Sequence, residues 1–123
     1  MSTEHKRQRV AVVGPCGAGK STVVEQLRRW GYDAFSVGQE HSIVPDLWRR
    51  RAPDALIFLH VEYPVLQDRR GTSWPHALYE RQMERLEDAR RHATLEIDTG
   101  TAGINETMAR VVAALEHADR ARP

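Results

Sequence analysis

Gly14-Pro15-Cys16-Gly17-Ala18-Gly19-Lys20-Ser21-Thr22 stands between the apolar run Val10-Ala11-Val12-Val13 and the segment Val23-Val24-Glu25-Gln26-Leu27, and these three pieces together decide the fold. The apolar run is continuous rather than alternating, as expected of a parallel strand covered on both faces. Beyond the loop, Val23, Leu27 and Trp30, with Val24 beside them, mark one face of a helix that Gly31 can end in a left-handed conformation. Gly14, Gly19, Lys20 and Ser21 match the spacing G-x-x-x-x-G-K-[ST]. Glycines let a backbone bend around an anion with successive N–H groups turned inward, and the following helix adds its positive N-terminal end. Gly14, Pro15, Cys16, Gly17, Ala18, Gly19, Lys20, Ser21 and Thr22 are therefore read as a phosphate cradle. Lys20 is expected to supply a point charge to the β- and γ-phosphates of ATP, and Ser21 a hydroxyl ligand for Mg²⁺. Cys16 is read as a small side chain at a variable loop position, with a redox switch as the alternative.

The rest of the chain alternates strand and helix signals. Asp33–Val37 is a short second strand; Pro45 suits the first turn of a short helix carrying Leu47 and Trp48, and Pro53 stops it before a third strand, Ala55–Val61. Pro64 starts another short helix that ends near Gly71, and Thr72-Ser73-Trp74-Pro75 open a long one with Tyr79, Met83, Leu86 and Ala93 near its core face. Thr94–Ile97 makes a fourth strand, and Met108, Val111, Val112 and Leu115 mark a final amphipathic helix. Such alternation predicts an α/β domain with a parallel sheet of about four strands and helices on both faces. At 123 residues the chain makes one domain, with residues 1–8 and 119–123 expected as mobile tails.

Charge and composition narrow the partners. With 18 Lys+Arg against 17 Asp+Glu, no strong field recruits nucleic acid or an anionic membrane across the whole surface. The single cysteine cannot form an internal disulfide, Met1–Gln8 lacks the apolar core of a signal peptide, and no apolar run is long enough to span a membrane. A cytoplasmic protein is expected, with a homo-oligomer left open. None of the six histidines shows metal-ligand spacing, although His41 falls near the expected site.

The glycine loop and the order of elements resemble the small-molecule kinases of the P-loop class, such as shikimate, gluconate, adenylylsulfate and nucleoside-monophosphate kinases. DALIFLHVEYPVLQDRRG is similar to the strand, helix and arginine-bearing lid of that family, and RLEDARRHATLEIDTGTAGINETMARVVAAL to its closing segment. The resemblance implies a three-layer P-loop NTPase fold. It also makes Arg69 and Arg70 the lid arginines, able to pair with phosphate or stack over adenine, lets Trp74 move with them, and sets Thr99–Ala102 near the nucleotide base. The family has five parallel strands where this chain offers four, and the additional unit normally helps form the acceptor site. There is no strand of four apolar residues ending in Asp, no Asn-Lys-x-Asp guanine-reading sequence, and no motor ATPase sensor or finger motif.

The second strand can instead lie directly beside the first, which would bring Gly38-Gln39-Glu40-His41-Ser42-Ile43-Val44-Pro45-Asp46 next to the γ-phosphate. Glu40 or Asp46 would then hold Mg²⁺ through water or accept a proton from an acceptor hydroxyl. Asp46 is the preferred carboxylate, because Pro45 and a helix start would fix its direction. Arg49-Arg50-Arg51 reads as a solvated helix face, with an anion-binding role as the alternative. The function expected is transfer of the γ-phosphate of Mg-ATP to a small molecule. The alternatives are a non-catalytic nucleotide-binding module and a slow ATPase working through a partner.

Overall fold

In the computed structural model, which describes residues 8–71 and 74–121, four parallel strands form one sheet in the order β2-β1-β3-β4. The strands are β1 (Arg9–Val13), β2 (Asp33–Ser36), β3 (Ala55–His60) and β4 (Leu95–Asp98). Five α-helices accompany them: α1 (Lys20–Arg29), α2 (Tyr63–Arg70), α3 (His76–Arg85), α4 (Glu87–Arg91) and α5 (Ile104–Ala121). Two short 3-10 helices, Gln39–His41 and Leu47–Arg51, lie between β2 and β3.

Residues 10–13 of β1 are fully buried because the pleat sends them alternately into two cores. Val10 and Val12 pack with Val23 and Leu27 of α1 and with Val111 and Leu115 of α5. Ala11 and Val13 pack with Phe35, Trp48, Leu86 and Ala89 on the other face. Register is fixed by Val10, which pairs with Ala34 of β2 on one side and with Ala55 of β3 on the other.

Several expectations need correction. Trp30 is 49% exposed, since α1 ends at Arg29 and Gly31, at φ 93°, turns the chain away before the indole can reach the core. The single long helix after Pro75 is two helices, α3 and α4, which meet at Leu86, and Ala93 falls beyond their end. Leu86 itself is fully buried. Part of the expected tails belongs to the fold: α5 runs through Ala121, and buried Gln8 donates its amide to the carbonyl of Leu115. Residues 1–7 and 122–123 lie outside the described residues. Tyr79 is core, as expected. Its hydroxyl donates to the carbonyl of Val61 at 2.7 Å and is held above the ordinary phenol range by burial first and the Glu62 charge second. No helix among the described residues is long and apolar enough to cross a membrane.

The strand order has a functional consequence. The chain leaves β1 toward β2 on one side and resumes with β3 on the other, so the order reverses between β1 and β3. Open α/β sheets form their ligand crevices beyond the strand C-termini at such a reversal. The segment that leaves β1 there is the glycine loop.

Candidate functional site

The loop begins pressed against the neighbouring strand: a Cβ on Gly14 would stand 2.5 Å from the carbonyl oxygen of Leu59 in β3. Ala18 N–H closes a turn onto the Pro15 carbonyl at 3.1 Å, and Gly17 and Gly19 take positive φ of 87° and 97°. Gly19 precedes α1, and no side chain among the described residues caps that helix. Its first-turn amides are the orphan donors of a helix start, suited to an anion.

Lys20 opens α1 and folds back over the loop. Its ammonium donates to the carbonyls of Gly14 at 2.6 Å and Pro15 at 3.2 Å and to Glu40 Oε2 at 2.8 Å. These three acceptors match the three donors of a lysine. The Glu40 side chain is only 5% exposed and that of Lys20 14%. A carboxylate so deeply removed from water is tolerated because its partner is a cation held in place.

The preceding residue puts Glu40 there. Gln39 is fully buried, donates its amide to the carbonyls of Val44 at 2.7 Å and Arg85 at 3.2 Å, and accepts the Trp48 N–H at 3.0 Å. This fastens the segment after β2 to the end of α3 and leaves Glu40 turned toward the loop. Its other oxygen, Oε1, is buried with no hydrogen-bond partner among the described residues.

Cys16 faces the same place. Its N–H donates to Gln82 Oε1 at 3.1 Å, and the Gln82 amide returns to Sγ at 3.4 Å. The Sγ atom lies 3.3 Å from His41 Nε2 and 3.9 Å from Glu40 Oε2. Cys16, Glu40 and His41 therefore offer a set of donors to a metal ion.

Of the two carboxylates, the structure joins Glu40 to Lys20 and leaves Asp46 exposed at the start of Leu47–Arg51. Glu40 rather than Asp46 meets Lys20 because the buried hydrogen bonds of Gln39, and not a helix start at Pro45, fix the direction of this segment. Nearby, Arg49 stacks over the Trp48 ring at 4.5 Å and Arg51 over Phe35 at 3.9 Å, so two of the three arginines cover aromatic faces.

The arginine pair also separates. From the last turn of α2, Arg69 donates to the carbonyl of Gly17 at 3.1 Å and to that of Thr99, bridging the loop and the end of β4. Arg70 stacks instead over the Trp74 ring at 4.9 Å. Trp74 is 7% exposed and belongs to the core, with its N–H on Gln67 Oε1 at 3.0 Å. Thr72 and Ser73 lie outside the described residues.

Thr99 donates its hydroxyl to the Ala18 carbonyl at 2.8 Å, which ties the end of β4 to the loop. Beside this contact a cavity of about 300 Å³ opens between Ala18, Gly19, Thr22, Arg69, Thr99 and Ile104. Ser21 and Thr22 are exposed in the first turn of α1.

Sequence reasoning missed Gln39, Gln82 and the approach of His41 to Cys16. Gln82 carried a signal: it lies three residues after Tyr79 and four before Leu86, a polar group on an apolar stripe. For Cys16 and His41 the expected pairing of β1 with β2 pointed to neighbouring segments, but not to the contact between the two side chains. No family model matches the chain, and no curated protein matches it.

Proposed function

We propose that this chain is a P-loop NTPase-fold protein that binds Mg-ATP and transfers its γ-phosphate to a small molecule. The observation that carries the reading is the buried Lys20–Glu40 pair at the end of a glycine loop, beside the reversal in strand order. A cation that can meet phosphate oxygens and a carboxylate that can orient a nucleophile stand within one hydrogen bond of each other.

In this reading the amides of the loop and first turn of α1 hold the phosphates, and Ser21 is the hydroxyl that would reach Mg²⁺. The cavity flanked by Arg69 and Thr99 suits the nucleoside. Phosphate competes with Glu40 and two carbonyls for Lys20, so binding frees the carboxylate. Glu40 then accepts the proton of the acceptor hydroxyl as its oxygen attacks the γ-phosphorus and ADP leaves.

The test is thermal. Mg-ATP at about a hundred times its dissociation constant should stabilise the fold by about 2.7 kcal/mol, a rise of roughly 10 °C in melting temperature for a domain of this size. Lys20→Ala should lose most of that rise. Equal shifts in the two proteins would remove the phosphate site. Arg69→Ala, at an exposed position, should weaken ATP binding about tenfold in a nucleotide titration while leaving the melting temperature without nucleotide nearly unchanged.

A nucleotide-binding module without transfer is the second reading, favoured by the internal saturation of all three Lys20 donors. A panel of small hydroxyl compounds and nucleoside monophosphates separates the two: a kinase releases ADP in proportion to one acceptor, and a module does so with none.

A further inference from the structure

Cys16 and Glu40 are 24 positions apart in the chain, yet the thiol of the loop meets the carboxylate and the imidazole of the Gln39–His41 turn. Sγ to Nε2 is 3.3 Å, Sγ to Oε2 is 3.9 Å, and Nε2 to Oε2 is 3.5 Å. We propose that Cys16, Glu40 and His41 form a Zn²⁺ site, one that needs no nucleotide although it shares Glu40 with the function proposed above.

Size supports it first. A point equidistant from the three atoms lies about 2.1 Å from each, within the roughly 2.0–2.3 Å span of zinc bonds to oxygen, nitrogen and sulfur. In a tetrahedral zinc site such donors stand about 3.4–3.6 Å apart, so these side chains need move by only about 0.3 Å. Chemistry supports it next. One thiolate, one imidazole and one carboxylate make a borderline-soft set, which suits zinc and not the all-oxygen preference of Mg²⁺ or Ca²⁺.

Glu40 supplies an independent reason. It is 4% exposed, and its Oε1 is buried with no hydrogen-bond partner among the described residues. A buried carboxylate with an unanswered oxygen has capacity for a further cation. Through it the ion and Lys20 can share one carboxylate, the metal taking Oε2 and the ammonium moving to Oε1. His41, with a side chain 62% exposed, opens the site to solvent. Zinc takes Cys16 as the thiolate, His41 as the neutral imidazole and Glu40 as the carboxylate. Three protein donors leave a fourth position for water or a phosphate oxygen. The metal also weakens the hold of Oε2 on Lys20, so occupancy of the site loosens the ammonium toward an incoming anion.

The full chain, reduced and stripped of metal, is titrated with Zn²⁺ against a chromophoric chelator and separately with Co²⁺ in the absorption spectrometer. One Zn²⁺ per chain is expected. Cys16→Ser and His41→Ala should each weaken it at least about tenfold, the lower end of what loss of even a supporting residue around a metal does. Co²⁺ should give a thiolate-to-metal charge-transfer band that Cys16→Ser removes. His117→Ala, on the exposed side of α5, serves as the control and should bind as wild type. Circular dichroism checks that the variants are folded, which the part-buried Cys16 and exposed His41 should allow. Zinc affinity equal in wild type and both site variants, no zinc binding, or Co²⁺ binding without a thiolate band would each overturn the site.

Discussion

If the chain is the phosphotransferase proposed above, Glu40→Gln is expected to slow acceptor-dependent ADP release by about a hundredfold or more, the lower range of what a positioned acid–base group contributes. The same change should leave ATP affinity unchanged or tighten it. In the resting protein Glu40 holds Lys20 through a 2.8 Å charge-assisted bond that a phosphate would have to displace, and an amide without the carboxylate's charge would hold the ammonium more weakly. A fall in turnover with no loss of binding marks a group used in the transition state. Asp46→Asn, at the exposed start of Leu47–Arg51, is the companion variant and should turn over as wild type. Steady-state ADP release and an equilibrium nucleotide titration on the same preparations give both quantities. Unaltered turnover in Glu40→Gln would exclude Glu40 from the chemistry. A large loss in Asp46→Asn would mean that the segment rearranges when nucleotide binds.

Gly14→Ala is expected to destabilise the domain by about 3 kcal/mol or more, at or beyond the upper end of typical overpacking costs. The added methyl would sit 2.5 Å from the backbone oxygen of Leu59 and 3.3 Å from the Cβ atoms of Ala18 and Leu59. A backbone oxygen in a central strand cannot swing aside as a flexible side chain could, so β1 and β3 must separate or the loop must lift. Either response disturbs the cradle, and Mg-ATP should rescue the variant poorly. Gly38→Ala is the contrasting case, because no atom of the described residues beyond its chain neighbours lies within 4 Å of a Cβ there. It should change stability by no more than about 0.5 kcal/mol. Urea unfolding of the three proteins measures the difference, and a midpoint for Gly14→Ala within error of that for Gly38→Ala would show that the loop does not press on β3.

The order of elements was legible because its signals are local. The unbroken Val10–Val13 run, the glycine spacing, Pro64 at the start of α2 and Gly71 at its end each act through their own backbone or a nearest turn. The break of the long helix at Leu86 was less so, since its charges and apolar positions continue across the join. Trp74 is a different case. The kinase resemblance let it move with the lid arginines, and its packing against Tyr79, 6.3 Å between ring centroids, was not legible in the sequence.

The sequence by itself determined the glycine loop, the lysine at its end, the parallel character of the sheet and the adjacency of a polar segment after β2. Each of these follows from residue type and short-range spacing. Only the tertiary structure decided that Glu40 rather than Asp46 meets Lys20, that Arg69 reaches the loop while Arg70 covers Trp74, and that Cys16 lies against His41. The physical reason is that these choices turn on buried hydrogen bonds between segments far apart in the chain. Gln39 must find the carbonyls of Val44 and Arg85, and Gln82 the backbone of Cys16, before either loop has one direction. A glutamine in a sequence does not say whether it will be buried. Once the sheet removes it from water, its amide must be satisfied, and satisfying it aims the neighbouring carboxylate and thiol.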